Sequence, residues 1–348
     1  MSQLCKVTVN GELFSANRGD LLLDAALMHG IELPYECRAG QCGTCRVRVI
    51  AGHCLGDTTE SPGVVHACQA RIISDVQIAV DKLPSIIEVS GRIVELIDVA
   101  PDVIELSVES SHPVDYIPGQ YLSVRLRGFP ARYYSPTALL DWPNDPDLIR
   151  FHVRRIAKGL VSSQLGSRVR KGHRVRMTGP FGAAYLRAKQ SGRLVLVSTG
   201  TGFAPIWAIA EAAIRENPAR ELVMIVGSRS IESFYMIPAL CRLALFPRVT
   251  IIPTVAMAQT ISRAVRHGEP IKYLPPLSSD DTVYAAGPPA LVQAVCGAAH
   301  AKRARVFADP FLPAREIARG NATFSTRFST WLMPFARVRT ITNVAQAC

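Results

Sequence analysis

The sequence predicts a multidomain chain: a small α+β sheet domain, an antiparallel β-barrel of about six strands, and a parallel α/β domain. Three changes of pattern predict it. Residues 1–83 hold short alternating strands around one helix, residues 88–188 hold short strands between regular turn signals, and from residue 192 to 311 apolar strands alternate with helices. With 348 residues, 48% apolar and 19% charged, the chain has material for two or three buried cores and lacks the composition of a disordered one. A last segment, 312–348, carries five Arg and one Glu with little periodicity and no motif, and reads as an extension.

In the first domain, residues 4–9 alternate apolar and polar and meet Asn10-Gly11, a two-residue hairpin signal; residues 13–16 form the return strand. Asp20 stands where a helix over 21–29 needs a cap, and Gly30 where it needs a stop. Residues 46–50 and 76–80 supply further strands of a β-grasp-like sheet. Between helix and strand lie Cys37, Cys42 and Cys45, answered by Cys68.

That spacing, C-x4-C-x2-C and a distant C, is the plant-type ligand pattern for a [2Fe–2S] cluster. Three thiolates from one loop require a tight fold with amides turned to the sulfurs. Gly40 and Gly43 permit it, and short Ala39 and Thr44 keep bulk away. C-x2-C alone also suits zinc or a redox dithiol, so a zinc knuckle of Cys42, Cys45, His66 and Cys68 is the rival. A Rieske centre needs two His ligands, and no Cys-x-His pair stands here. His53, Cys54 and His66 read as loop residues. Cys5, Cys54, Cys241, Cys296 and Cys348 follow no framework spacing and read as thiols of a reducing compartment.

The N-terminus has no basic segment followed by an apolar run, and residues 194–210 are broken by glycines and Pro205, so neither a signal peptide nor a membrane span is expected. The expected location is cytoplasmic. Charge is uneven. Residues 1–83 hold seven Lys/Arg against nine Asp/Glu, a net of −2, so with a formal total of +11 the remainder carries +13. Basic residues form no cluster interleaved with aromatics, which argues against nucleic acid and leaves anionic dinucleotides or a docking partner as the ligands of the basic body.

After a linker at 82–85, residues 92–97 and 103–108 read as barrel strands, followed by Pro118-Gly119-Gln120-Tyr121 and a strand to 126. In Arg132-x-Tyr134-Ser135 the arginine can pair with a pyrophosphate, the ring can lie along a flavin or ribose, and the hydroxyl can bond a ring nitrogen; an aromatic edge strand would read the same way. In the last domain, strands at 194–198, 222–226, 249–253 and 283–286 accompany a helix at 206–215. Gly200-Thr201-Gly202 between strand and helix offers amides and a helix dipole to phosphate, but it is not G-x-G-x-x-G and such loops are common.

The order of motifs is more specific than any one of them. Arg132-x-Tyr134-Ser135, Gly159-x-x-Ser162, Gly179-Pro180-x-Gly182, Gly200-Thr201-Gly202-x-x-Pro205 and Ala286-Gly287-Pro288-Pro289 together resemble the ferredoxin–NADP reductase superfamily. Residues 1–83 resemble plant-type ferredoxins. Over about residues 3–311 the whole is similar to the reductase component of Rieske-type aromatic-ring dioxygenases, nearest to the naphthalene dioxygenase type.

The resemblance implies that Arg132, Tyr134 and Ser135 hold FAD, with Ser135 near the flavin N5. It implies that Gly159 and Ser162 serve its pyrophosphate at a helix start, and that Gly179, Pro180 and Gly182 line the flavin pocket. Gly200, Thr201 and Gly202 would meet the nicotinamide cofactor, with Gly287, Pro288 and Pro289 closing over it. Cys37, Cys42, Cys45 and Cys68 would hold the cluster. The chain departs from the family in three places: only 22 residues separate Cys45 from Cys68, the shortening falling in 52–63; Ala286 stands where many members have cysteine; and 312–348 extends past the usual end.

The implied function is an electron-transfer oxidoreductase. NADH delivers hydride to FAD, and single electrons pass to the cluster and on to a ferredoxin or the oxygenase component of an aromatic-ring hydroxylase, with no catalytic side chain acting as general base. A plant-type cluster near about −400 mV can reduce a Rieske centre at roughly −150 mV or above. Arg229 and Ser230 suit a 2′-phosphate, but Glu232 would repel one, which favours NADH over NADPH. Expected partners exclude nucleic acid and membrane, and the chain is expected to be a monomer. The alternative within the class is the reductase of a di-iron monooxygenase or a sugar-deoxygenation pathway. The alternative outside it is a non-catalytic iron–sulfur carrier, against which the intact Arg-x-Tyr-Ser speaks.

Overall fold

The hairpin signal at Asn10-Gly11 is realised in the computed structural model, which describes residues 3–35, 38, 40, 45–56, 63–80, 83–138, 147–187, 192–257 and 264–312. Residues 1–311 form one unit and 312–348 another, of which only Leu312 is among the described residues. Strands β1 (Leu4–Val9) and β2 (Glu12–Asn17) reverse through Asn10 and Gly11 at φ 48° and 99°. β1 pairs in parallel with β5 (Arg71–Ala79), while β3 (Arg46–Leu55) pairs antiparallel with both β5 and β4 (Val64–His66). The order is β2-β1-β5-β3-β4. Helix α1 (Leu22–Met28) buries Leu22, Leu23, Ala25 and Ala26 against Val7, Val47, Ile72 and Ile78 of this sheet.

Gly30 ends α1 as expected. At φ 75° it donates to Leu27 O (3.1 Å), and Ile31 N donates to Ala26 O (3.0 Å), the bond pair of a left-handed glycine stop. The start of the helix differs from expectation. Asp20 does not cap it; its carboxylate accepts the Asn17 N–H at 2.9 Å. The first helical amides, Leu22 and Leu23, donate instead to Ala70 O and Ala67 O at 2.9 Å each. Backbone carbonyls flanking Cys68 thus do the capping, and the helix holds the fourth cysteine in place.

β3 also runs past the expected 46–50. His53 and Cys54, expected in a loop, lie on this strand, with Cys54 opposite Ile72; His66 lies on β4 opposite Arg46. Burial pushes the Cys54 thiol up to about 11. Of the expected surface excursion at 52–63, residues 52–55 belong to β3, and 57–62 lie outside the described residues.

The barrel consists of β6 (Ile87–Ala100), β7 (Val103–Ser110), β8 (Tyr121–Leu126), β9 (Arg132–Tyr134), β10 (Pro136–Thr137), β11 (Leu148–Arg154) and β12 (Arg174–Phe181). All pairs are antiparallel in the order β10-β11-β7-β6-β12-β8-β9. The two end strands, β9 and β10, are consecutive in the chain with Ser135 alone between them. Residues 132–137 therefore act as one stave, the count of staves is six, and the sheet closes at Ser135. Ile93, Leu106, Val108, Leu122, Phe151 and Met177 fill the interior.

The third sheet is wholly parallel: β13 (Leu194–Thr199), β14 (Leu222–Ser228), β15 (Val249–Val255), β16 (Arg266–His267), β17 (Thr282–Gly287) and β18 (Arg305–Pro310), in the order β16-β15-β14-β13-β17-β18. Strand residues alternate between its faces. Leu194, Leu196 and Met224 pack on α2 (Phe203–Glu216) and α3 (Ile237–Leu243), while Val195, Val197 and Val223 pack on α4 (Pro289–Ala301). Helix α2 begins three residues before the expected 206, directly after a 3-10 turn at Gly200–Gly202. Far from that turn, Arg193 grips Asp281 with two bonds of 3.0 and 2.8 Å. Burial works to raise the Asp281 carboxyl, but Arg193 and the Ser278 amide prevail and hold it below the usual range.

Candidate functional site

Of the four expected cluster ligands, Cys37 and Cys42 lie outside the described residues, as do Ala39, Gly43 and Thr44. Cys45, just before β3, and Cys68, just after β4, are brought together by the pairing of Arg46 with His66 on these neighbouring strands. Both are buried, at 2% and 4% exposure, with sulfurs 3.2 Å apart, too far for a disulfide at about 2.05 Å. Ala67 N donates to Cys45 O at 2.9 Å, which locks the two ligand segments side by side. Gly40, at φ 71°, passes so close that a Cβ would lie 2.9 Å from the Gln69 side chain. A glycine cradle beside two converging thiols fits the iron–sulfur donor set. Among the described residues no three His, Cys, Asp or Glu side chains are placed to hold a metal, and the zinc rival needs Cys42, which lies outside them.

The expected flavin residues fall on the barrel's closing seam. β9 pairs with β8, placing Arg132 opposite Val124 and Tyr134 opposite Leu122. The half-buried Tyr134 ring leans on Phe151 (6.1 Å between centroids), and burial pushes its phenol up to about 12 in spite of Arg132 nearby. Ser135 is 8% exposed and donates its hydroxyl to Asp309 Oδ2 at 3.3 Å. Asp309 lies 174 residues further on, at the end of β18. The seam thus faces the third sheet, and Thr137 Oγ1 donates to Ala204 O (3.2 Å) while buried Trp207 donates to Ala138 O (3.0 Å).

Gly159 and Ser162 take a different form from the expected helix start. Ser162–Gln164 is a single 3-10 turn, so no helix dipole is available there. Ser162 Oγ accepts the Ile156 N–H at 3.1 Å, and a Cβ on Gly159 would lie 2.8 Å from that oxygen. The loop is preformed and can still present amides to a phosphate. Gly179 and Pro180 form an irregularity in β12, with a cis Gly179–Pro180 bond, and Gly182 directly follows the strand. Cβ atoms at Gly179 and Gly182 would lie 2.7 Å from Leu122 and 2.8 Å from the Tyr121 ring. Packing within the barrel accounts for both glycines.

The residues expected to meet the nicotinamide cofactor come together at one place. The chain leaves β13 toward β14 on one side, and β17 returns on the other, so a crevice opens at the carboxyl ends of β13 and β17, where open parallel sheets bind ligands. Gly200–Gly202 ends β13, and Gly287 with Pro288 ends β17. A Cβ on Gly202 would lie 2.3 Å from Ala286 O, and Gly287 has φ 135° with Thr199 packed beneath it. Thr199 Oγ1 is buried there with no hydrogen-bond partner among the described residues, an orphan that a bound polar group would satisfy. Arg154 of the barrel lies over Gly200, close enough that a Cβ there would come within 2.4 Å of its Nη2. Glu232, on the exposed turn after β14, is held below the usual carboxyl range by the Ser230 hydroxyl.

Sequence reasoning missed a polar chain from barrel to crevice. Arg150 pairs with Glu105 (3.6 Å), Glu105 with His152 Nε2 (3.2 Å), and Tyr235 OH lies 3.4 Å from His152 Nδ1 and 3.5 Å from Gly200 O. Burial opposes ionisation of Glu105, but His152 and Arg150 hold it below the usual range; burial raises the Tyr235 phenol. It missed Asp309 as well. No local signal marks these residues, because their partners are remote in sequence.

Comparisons with known proteins agree with this layout. Residues 7–72 match the 2Fe-2S iron-sulfur cluster binding domain, 90–185 the oxidoreductase FAD-binding domain, and 196–297 the oxidoreductase NAD-binding domain. The chain is 32% identical over 255 residues to the ferredoxin–NAD(P)+ reductase component of the naphthalene 1,2-dioxygenase/salicylate 5-hydroxylase systems of Ralstonia sp., covering 70% of this chain and 76% of that one. It is 28% identical over 327 residues to the naphthalene 1,2-dioxygenase system reductase component of Pseudomonas putida, covering 87% and 97%. The crystal structure of the Amycolatopsis cytochrome P450 reductase GcoB superposes with a TM-score of 0.63 at 26% identity, covering 89% of this chain and 99% of that one. No helix among the described residues is long and apolar enough to cross a membrane.

Proposed function

The chain belongs to the family of ferredoxin–NAD(P)+ reductase components of aromatic dioxygenase systems, and from that premise we propose how its residues divide the work and which partner it serves. It is an oxidoreductase with a [2Fe–2S] cluster, FAD and NAD(H) as cofactors. When bound, FAD takes up the two electrons of a hydride and the cluster carries them one at a time.

Arg132 binds the FAD pyrophosphate, Tyr134 gives the isoalloxazine a rigid wall, and the 156–162 loop, braced by Ser162, adds amides. Ser135 presents its hydroxyl at the seam while Asp309 orients it by accepting its proton at Oδ2. The crevice at Gly202 and Gly287, where a Cβ on Gly202 would meet Ala286 O, would admit the nicotinamide cofactor. Glu232 rejects a 2′-phosphate and favours NADH. Cys37, Cys42, Cys45 and Cys68 hold the cluster as thiolates, which suits a reducing, cytoplasmic setting.

One observation carries this assignment: the seam at Ser135 and the crevice between β13 and β17 meet through the Ser135–Asp309 bond, so both candidate cofactor residues face one junction. We assign a ferredoxin or the oxygenase component of an aromatic-ring hydroxylase as electron acceptor. A cytochrome P450 or other monooxygenase is the second reading, favoured by the likeness to GcoB over nearly the whole chain. Purified protein should show flavin and iron–sulfur absorbance that bleaches on NADH, and reconstitution with dioxygenase and P450 acceptors would separate the two readings. Absence of bleaching would sink the reductase assignment. Arg132→Ala should weaken FAD binding about 10- to 100-fold, from loss of a charge-assisted bond worth roughly 1.5–3 kcal/mol; unchanged flavin retention would remove its role.

A further inference from the structure

Gln69, next to the fourth cysteine, has a side chain placed for a task that the four thiolates do not cover. Its Nε2 donates to Arg38 O at 2.8 Å and to Cys68 O at 2.9 Å, and lies 3.7 Å from Cys68 Sγ. The two carbonyls take the two hydrogens, and the sulfur sits within the positive end of the same amide dipole. Arg38, at φ 53°, opens the first ligand loop, and Gly40 leaves the space that the Gln69 side chain occupies. Gln69 therefore spans from the loop of Cys37, Cys42 and Cys45 to Cys68.

We propose that Gln69 is a positioning and potential-setting residue of the cluster: it clamps the first ligand loop to Cys68 and raises the cluster's reduction potential through its amide. The sign follows from charge. Reduction adds an electron to the cluster and its thiolates, and the positive end of an amide dipole 3.7 Å from a ligand sulfur stabilises the more negative state. The proposal rests on the cluster assignment above, and wild-type protein without iron and acid-labile sulfide would sink that assignment before any variant is compared.

The test is a dye-mediated redox titration of the full chain, followed by the electron paramagnetic resonance signal of the reduced cluster, for wild type, Gln69→Leu and Gln69→Glu. Iron and sulfide content and flavin absorbance are measured alongside. The expected result is a midpoint lowered in Gln69→Leu and lowered further in Gln69→Glu, which replaces the donor by a negative acceptor, with faster loss of iron to a chelator and flavin content unchanged. An unchanged or raised midpoint in both variants overturns the potential-setting role. Loss of the cluster from both variants with flavin retained also overturns it and leaves the clamp alone; unchanged chelator kinetics overturns the clamp.

Discussion

The crevice makes a sharp distinction between two neighbouring glycines. At Gly202, φ is −59°, a backbone any residue adopts, but a Cβ would lie 2.3 Å from Ala286 O, 2.6 Å from Ala286 C and 2.9 Å from Gly287 Cα. These are backbone atoms of the adjacent β17, so Gly202→Ala must drive the two strand ends apart. Ordinary contact begins at 3.4 Å, a displacement of about 1 Å. Such overpacking costs roughly 1–3 kcal/mol in stability. The larger effect is on geometry, because a misplacement of about 1 Å between reacting groups lowers rate roughly 100-fold. Gly200 is the reverse case. At φ 55° an alanine pays about 1–2 kcal/mol for the left-handed backbone, but the atom it meets is the mobile end of Arg154. We expect Gly200→Ala to lower the melting temperature while leaving hydride transfer near wild type, and Gly202→Ala to slow flavin reduction about 100-fold. Stopped-flow bleaching of flavin by saturating NADH, with thermal unfolding of each holoprotein, measures both. Flavin reduction in Gly202→Ala within about twofold of wild type, or greater kinetic damage in Gly200→Ala, would refute the strand-separation reasoning.

Ser135→Ala removes the hydroxyl held by Asp309 and should slow flavin reduction about tenfold, the equivalent of roughly 1.4 kcal/mol, with FAD content unchanged. Loss of flavin instead would show that Ser135 binds rather than orients. The depressed Asp281 carboxyl stabilises the fold above the ordinary aspartate range, and that stabilisation disappears as pH falls through its lowered folded value. Asp281→Asn should therefore lower the melting temperature at neutral pH and flatten the acid limb of the curve of melting temperature against pH; parallel curves would contradict the Arg193 contact. Glu232→Ala should lower the ratio of kcat/KM for NADH over NADPH severalfold, and an unchanged ratio would move the discrimination elsewhere.

Much of the candidate site was legible as a set of expectations because its signals are local. Cysteine spacing, the stop at Gly30, and the Arg132–Ser135 and Gly200–Gly202 motifs each depend on a few consecutive residues. What stayed hidden depends on pairing across the chain. Asp20 has the side chain of a cap, yet Ala67 and Ala70 carbonyls took the helix amides first. His53 and Cys54 lie near Gly52, which reads as a turn; the structure places Gly52 at φ 82°, with a Cβ 1.9 Å from Asp75 O, an irregularity inside a strand and not its end. Short strands β4, β10 and β16, of three, two and two residues, carry no periodicity to detect. Asp309 resembles any strand-end acid until β18 is paired beside β17.

Closure of the barrel by a single residue has a consequence for how the chain can be cut and rejoined. Because β9 and β10 are edge strands linked only by Ser135, the segment 132–137 is both hoop and the proposed flavin-binding motif. An inserted residue there would shift β10 against β11 and turn Tyr134 or Thr137 to the other face. The turn at Gly128 is exposed, with open space around it. New termini at Gly128 would leave the hoop whole, whereas new termini at Ser135 would open the barrel and divide the motif in one stroke. Exchange of flavin modules between such reductases must therefore carry 132–137 as one indivisible block.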